Sequence, residues 1–150
     1  MISIQRVVLV DIETYIALER RVVSRTYSAM LTIEEVAELI KKGPVYLIKN
    51  GDIVVGSISY EMRPDSTVYL SGLVIDPTYQ GRGFGKIALE QILREVEDAP
   101  RIELLTHPDN IKAISLYRSL DFKITGRIEN PYGDGEPRVI MTRQRQEEII

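Results

Sequence analysis

The sequence predicts an α+β fold with its elements in the order β-α-α-β-β-β-α-β-α-β-β. Two stretches carry most of that prediction. Val68 to Val96 reads as a buried apolar strand, a turn holding Gly81, Gly83 and Gly85, and an amphipathic helix. Ahead of it, Val45–Lys49 and Ile53–Met62 flank Asn50-Gly51, a strong short-range hairpin signal. Three strands in succession with no helix between them separate this pattern from repeated βαβ units.

Taken in order, Ile2–Val8 is a short strand rich in β-branched residues, and Asp11 is placed to cap a helix reaching about Val23. Thr32-x-x-Glu35 has the form of a capping box and opens a second helix that Gly43-Pro44 ends. Pro64-Asp65-Ser66 turns the chain from the hairpin into the central strand. Asp76-Pro77 closes that strand, because proline has no N–H to give the ladder. In the helix after the glycines, Phe84, Ile87, Ala88, Ile92 and Val96 fall close to helical spacing. A strand at Ile102–Thr106, a helix from about Asn110 to Leu120 and a strand at Phe122–Ile128 follow. Gly133-Asp134-Gly135 then turns into a last strand, Arg138–Thr142.

Composition removes several functional classes. The chain has no cysteine, so a disulfide framework, a thiolate metal site and a cysteine nucleophile are all excluded. A net charge of −3 with no basic block argues against nucleic acid as a partner. There is no signal-peptide pattern and no apolar run long enough to span a bilayer, so a cytoplasmic protein with no membrane partner is expected. At 150 residues the chain suits one domain, expected over residues 1–143 with a frayed tail at 144–150, as a monomer or a homodimer.

A strand, a glycine turn and a helix in that order make an anion site, since first-turn N–H groups have no intrahelical partner. A Walker A loop fails, because Gly85-Lys86 is followed by Ile87 and the position five before Gly85 is Gln80. The dinucleotide fingerprint fails at Lys86, where a glycine or alanine is required. What stands is Gln80-x-x-Gly83-x-Gly85.

That pattern resembles the Q/R-x-x-G-x-G/A signature of the GNAT family of N-acetyltransferases. A second stretch, Asn110-x-x-Ala113-x-x-Leu116-Tyr117 followed by Leu120-Asp121-Phe122, is similar to the family's N-x-x-A-x-x-L-Y-x-x-x-G-F. Asp121 departs from the usual glycine, although Asp also tolerates the left-handed conformation that ends a helix. The resemblance runs from Ile2 to Thr142 and is nearest to the ribosomal-protein and N-terminal acetyltransferases.

The resemblance implies a mixed sheet splayed at its central strands, with acetyl-CoA as co-substrate in the cleft and no metal. Backbone amides from Gly81 to Lys86, a run entered through Gln80 and including Phe84, are expected to hold the pyrophosphate. Gly83 and Gly85 would allow close approach where a Cβ would meet phosphate oxygens. Arg82 and Lys86 would add charge, unless they are only solvated. The pantetheine arm would pair with Leu73–Ile75, and the Val74 N–H would donate to the thioester carbonyl, where an oxyanion develops. Tyr117 is the expected general acid toward the CoA sulfur, against the alternative of an ordinary core tyrosine. Asn110 would bond pantetheine, cap its helix, or both.

The general base is less defined. Relatives often place Glu or His five residues before the Asn, but Leu105 stands there. Glu103 and His107 flank it on one strand face, and Tyr69 on the central strand is a further candidate. Tyr132, in a hairpin similar to the peptide-gripping hairpin of the N-terminal acetyltransferases, and Glu61 are candidate acceptor contacts. The absence of cysteine favours direct attack by the amine over a cysteine-linked acetyl-enzyme. The resemblance thus implies acetyl transfer to a primary amine, a protein or peptide N-terminal or lysine amine first. Small-molecule amines such as polyamines come second, and a non-catalytic acyl-CoA-binding module third.

Overall fold

A computed structural model describes residues 1–145. Local chemistry sets most element boundaries. Thr32 accepts the Glu35 N–H (3.2 Å) and donates its hydroxyl to the Glu35 carboxylate (2.9 Å), opening α2 (Ile33–Lys42). Gly51 takes φ +61° in the hairpin between β2 (Val45–Asn50) and β3 (Ile53–Met62). Asp11 does not cap α1 (Ile12–Val22) through its side chain. A short 3₁₀ turn at Leu9–Asp11 comes first, and the carboxylate accepts the Val8 N–H at 2.9 Å. β1 (Ile2–Arg6) therefore ends earlier than the sequence predicts.

The remaining elements are β4 (Val68–Ile75), α3 (Phe84–Glu95), β5 (Arg101–Thr106), α4 (Ile111–Ser119), β6 (Lys123–Ile128) and β7 (Arg138–Gln144). β7 runs past the expected Thr142, and Gln144 pairs with Arg101, so that residue is sheet and not tail. The rest of the expected tail, residues 146–150, lies outside the described residues. The α+β element order is the one the sequence predicts. Asp121 sits at φ +70° after α4, the left-handed position where a glycine is usual.

The seven strands among the described residues form one mixed sheet in the order β1-β2-β3-β4-β5-β7-β6. β7 inserts between β5 and β6, pairing antiparallel with both, which leaves β6 as an edge. Helices α1 and α2 cover one face, where Ile12, Tyr15, Ile16, Val36 and Leu39 pack on Val45 and Leu47. Helices α3 and α4 cover the other, with Ala88, Leu89, Ile92, Ile114 and Tyr117 over Val68, Leu70 and Leu104. Ile87 is 41% exposed, so the buried stripe of α3 runs through Leu89 and Leu93 and not through that isoleucine.

The site is made by one irregularity in β4. Ser59 pairs with Gly72 and Tyr60 with Leu70, so Ser71 has no residue opposite it and forms a β-bulge. Its hydroxyl lies 2.8 Å from that of Ser59. Val68 and Leu70 face α3 before the bulge, whereas Leu73 and Ile75 do so after it. β4 pairs in parallel with β5 only from Val68 to Leu70, and the two strands then separate. That separation is the splay the resemblance implies.

Candidate active site

Past Leu70 the edge of β4 has no strand beside it among the described residues, and strand parity decides which backbone groups face the gap. The Asp76 N–H donates to the Val55 carbonyl on β3 (2.8 Å), and a Cβ added at Gly56 would strike the Val74 carbonyl oxygen. Val74 and Asp76 thus direct their main-chain groups at β3. Successive residues of a strand alternate in this respect, so Leu73 and Ile75 direct theirs into the gap. The Ile75 carbonyl is found there, accepting from the Gln80 side chain at 3.0 Å. The amide aimed at the gap is therefore not that of Val74, as the resemblance implies, but those of its two neighbours. The bulge at Ser71 sets this phase.

The turn beyond β4 is held from both sides. Asp76 accepts the Thr78 N–H (2.9 Å) and two bonds from the Arg21 guanidinium of α1 (2.7 and 2.9 Å). Arg21 holds the Asp76 carboxyl below the usual carboxylate range. Gly81 and Gly83 lie at φ +78° and +80°, and a Cβ at either would meet nothing within 4 Å. Their glycine requirement is thus conformational. Gly85 differs: a Cβ there would touch Ile75 at 3.5 Å, an ordinary contact. The first helical bond of α3 runs from the Ile87 N–H to the Gly83 carbonyl, so the amides of Phe84, Gly85 and Lys86 point out of the helix start without a partner among the described residues. They line a cleft of about 400 Å³ with Leu73, Ile75, Asn110 and Lys112. Arg82 is not in that lining; its guanidinium lies 5.7 Å from the Tyr79 ring centre.

A second cavity, also about 400 Å³, opens on the other side of Tyr117. Thr26, Tyr27, Leu73, Asn110, Ala113 and Tyr117 line both, so the two are halves of one groove. Tyr117 is 6% exposed and packs edge-on against Phe122, with ring centres 5.6 Å apart. Burial pushes its phenol well above its ordinary pKa, and its hydroxyl makes no hydrogen bond among the described residues. A protonated donor therefore sits at the junction. Asn110 caps α4 by accepting the Ala113 N–H at 3.3 Å.

The second cavity collects residues from distant parts of the chain. The Tyr69 hydroxyl on β4 lies 3.1 Å from the Tyr132 hydroxyl in the β6–β7 hairpin, with Glu61 and Leu105 alongside. The Arg138 guanidinium stacks 5.0 Å from the Tyr132 ring centre and pairs with Asp134 at 2.9 Å. Arg63 stacks 4.4 Å from the Tyr69 ring centre and pairs with Glu103 at 3.1 Å.

The three base candidates sit very differently. Glu103 is held by Arg63 and Arg101 and lines neither half of the groove. His107 borders the second cavity but is 2% exposed and has both ring nitrogens engaged. Nδ1 accepts the Asp109 N–H (3.0 Å), so Nε2 carries the proton and donates to Glu136 (2.9 Å). Arg25 completes this cluster with ion pairs to Glu136 and Asp109 at 2.6 and 2.8 Å. Tyr69, like His107, lines this cavity, and its hydroxyl meets that of Tyr132 there.

Sequence reasoning passed over Tyr27, Lys112 and Glu19, all of which line the groove. A signal existed for Glu19: an acid one turn from Tyr15 and beside Ile16 on the buried face of α1.

Comparison with known proteins identifies the family and the fold. Residues 14–122 match the model of the acetyltransferase (GNAT) family. A spermine/spermidine N(1)-acetyltransferase of Bacillus subtilis is 34% identical over 112 residues, 68% of this chain and 73% of that protein. The peptidyl-lysine N-acetyltransferase YjaB of Salmonella typhimurium is 29% identical over 136 residues, covering 86% and 88%. The solved ribosomal-protein-S18-alanine N-acetyltransferase of Escherichia coli superposes with a TM-score of 0.82 at 22% identity, over 99% of this chain and 97% of that one.

Proposed function

The chain belongs to the acetyltransferase (GNAT) family, and from that premise we propose that it moves the acetyl group of acetyl-CoA directly to a primary amine at the end of an aliphatic chain. The observation that carries this reading is the groove divided at Tyr117. One half has a helix start with free amides and an unpaired strand edge; the other is walled by tyrosines and carboxylates.

The residues present fit the co-substrate. The Phe84–Lys86 amides and the positive end of α3 suit a diphosphate, and Lys86 and Lys112 add charge at the same cleft. Leu73 and Ile75 offer the pantetheine arm the free edge of β4. We assign the Leu73 N–H, on the rim shared by both halves, as the donor that stabilises negative charge on the thioester oxygen. As the amine nitrogen bonds to the acetyl carbon and the carbon–sulfur bond breaks, Tyr117 gives its proton to the departing thiolate, and the proton shed by the nitrogen leaves through water and restores the phenol. His107 positions: it fixes the loop between β5 and α4 against the β6–β7 hairpin.

A lysine side chain and a polyamine share one reactive feature, a primary amine on an unbranched chain. The relatives acting on peptidyl-lysine and on spermine or spermidine support that common class. Peptides with an internal lysine, peptides with a free N-terminal alanine, and spermidine should be offered with acetyl-CoA and the products read by mass spectrometry. Acetylation of the lysine peptide or of spermidine is expected. Transfer only to N-terminal alanine would overturn the acceptor class, and transfer to none would overturn the reading.

A further inference from the structure

One buried carboxylate has half of its hydrogen-bonding capacity unused. Glu19 of α1 is 0% exposed. Its Oε1 accepts the Tyr27 hydroxyl (2.9 Å) and the Met30 N–H (3.3 Å), tying down the loop between α1 and α2. Its Oε2 is buried with no partner, the only carboxylate oxygen in that state among the described residues. Buried polar atoms in native proteins nearly always have a partner, and a buried charge without one is costly. Burial raises the Glu19 pKa, and the groups beside it, the Tyr27 and Tyr15 phenols and the Met30 amide, include no cation.

The missing partner has a place to come from. Glu19 borders the same cavity as Leu73 and Tyr117, and so do the rings of Tyr15 and Tyr27. The cavity's other acids are already committed or more open: Glu35 accepts from Thr32, Glu38 pairs with Lys41, and Glu61 is partly exposed. A cationic head would gain a charge-assisted bond and aromatic faces at one spot. We propose that Glu19 Oε2 is the anchor for the ammonium form of the acceptor, taking up its proton before the free amine attacks, and so the residue that selects a cationic alkylamine over a neutral isostere. The proposal rests on reading this cavity as the amine site.

The test uses hexylamine as acceptor and the full chain. Glu19→Gln keeps an oxygen for Tyr27 and Met30 but sets an amide NH₂ where Oε2 stood, so a purely structural role survives it. The expected result is a KM for hexylamine raised roughly 10- to 100-fold, with the KM for acetyl-CoA and the melting temperature little changed. An unchanged hexylamine KM in the folded variant overturns the proposal. A second measurement needs no variant: calorimetric binding of hexylamine and of hexan-1-ol to the wild-type protein–CoA complex. The amine should bind more tightly by a similar factor, and equal affinities overturn the proposal even if the variant does not fold. A wild-type protein that acetylates lysine peptides but shows neither effect would refute the Glu19 anchor and leave the acceptor class standing.

Discussion

The hydroxyls of Tyr69 and Tyr132 meet at 3.1 Å across the mouth of the second cavity, joining β4 to a hairpin 63 residues further along the chain. Each ring is backed by a guanidinium, Arg63 at 4.4 Å and Arg138 at 5.0 Å. Tyr69→Phe and Tyr132→Phe should each raise the amine KM roughly threefold to tenfold, the worth of one hydrogen bond, and leave the acetyl-CoA KM unchanged. Because both remove the same bond, the double variant should be no worse than either single one. Additive losses in this double-mutant cycle would show that the two hydroxyls act separately.

Tyr117→Phe removes a hydroxyl with no protein partner among the described residues, so the melting temperature should hold. If the phenol protonates the leaving sulfur, kcat should fall on the order of 100-fold with CoA affinity unchanged by calorimetry. Its raised pKa keeps the proton on through the ordinary phenol range, so the wild-type rate should show no alkaline loss from this group below about pH 10. Undiminished kcat in the variant would remove Tyr117 from the chemistry.

Gly83→Ala and Gly85→Ala should separate in their effects. The first forces a side chain into a left-handed backbone at φ +80°, costing about 1–2 kcal/mol, and should lower the melting temperature. The second meets only an ordinary contact with Ile75, so the fold should be unharmed. If the Gly85 Cβ stands where the diphosphate must go, CoA binding will weaken in the second variant without any loss of stability.

The Arg21–Asp76 pair makes stability depend on acid. The folded-state pKa of Asp76 is depressed, so its contribution is present above the unfolded carboxylate value and lost as pH falls through the folded one. Asp76→Asn should melt lower than wild type at neutral pH, and the two melting curves should converge in strong acid. The Arg21 side chain is 53% exposed, so added salt should narrow the neutral-pH gap. A gap that persists unchanged at low pH would mean the pair is not its source.

What the sequence by itself determined is local. The capping box at Thr32, the Asn50-Gly51 hairpin, the glycine turn after Asp76-Pro77 and the left-handed Asp121 are each decided within a few residues, by hydrogen bonds and backbone sterics that any context leaves intact. The glycine turn with its helix was legible for that reason, whereas Tyr117 stood out only through the family resemblance of Asn110-x-x-Ala113-x-x-Leu116-Tyr117. Tertiary structure alone decided the phase of β4, since the unpaired Ser71 arises only when β3 is laid beside it and reverses which residues face the gap. It also decided that β7 enters between β5 and β6, which brings Tyr132 to Tyr69 and Glu136 to His107. A side chain's partner across the fold depends on strand pairing between segments far apart in the chain, and no periodicity within one segment records that pairing. Glu19 is the clearest case: its helix predicts that it is buried, but only the packed protein shows one of its oxygens left without a partner beside a cavity.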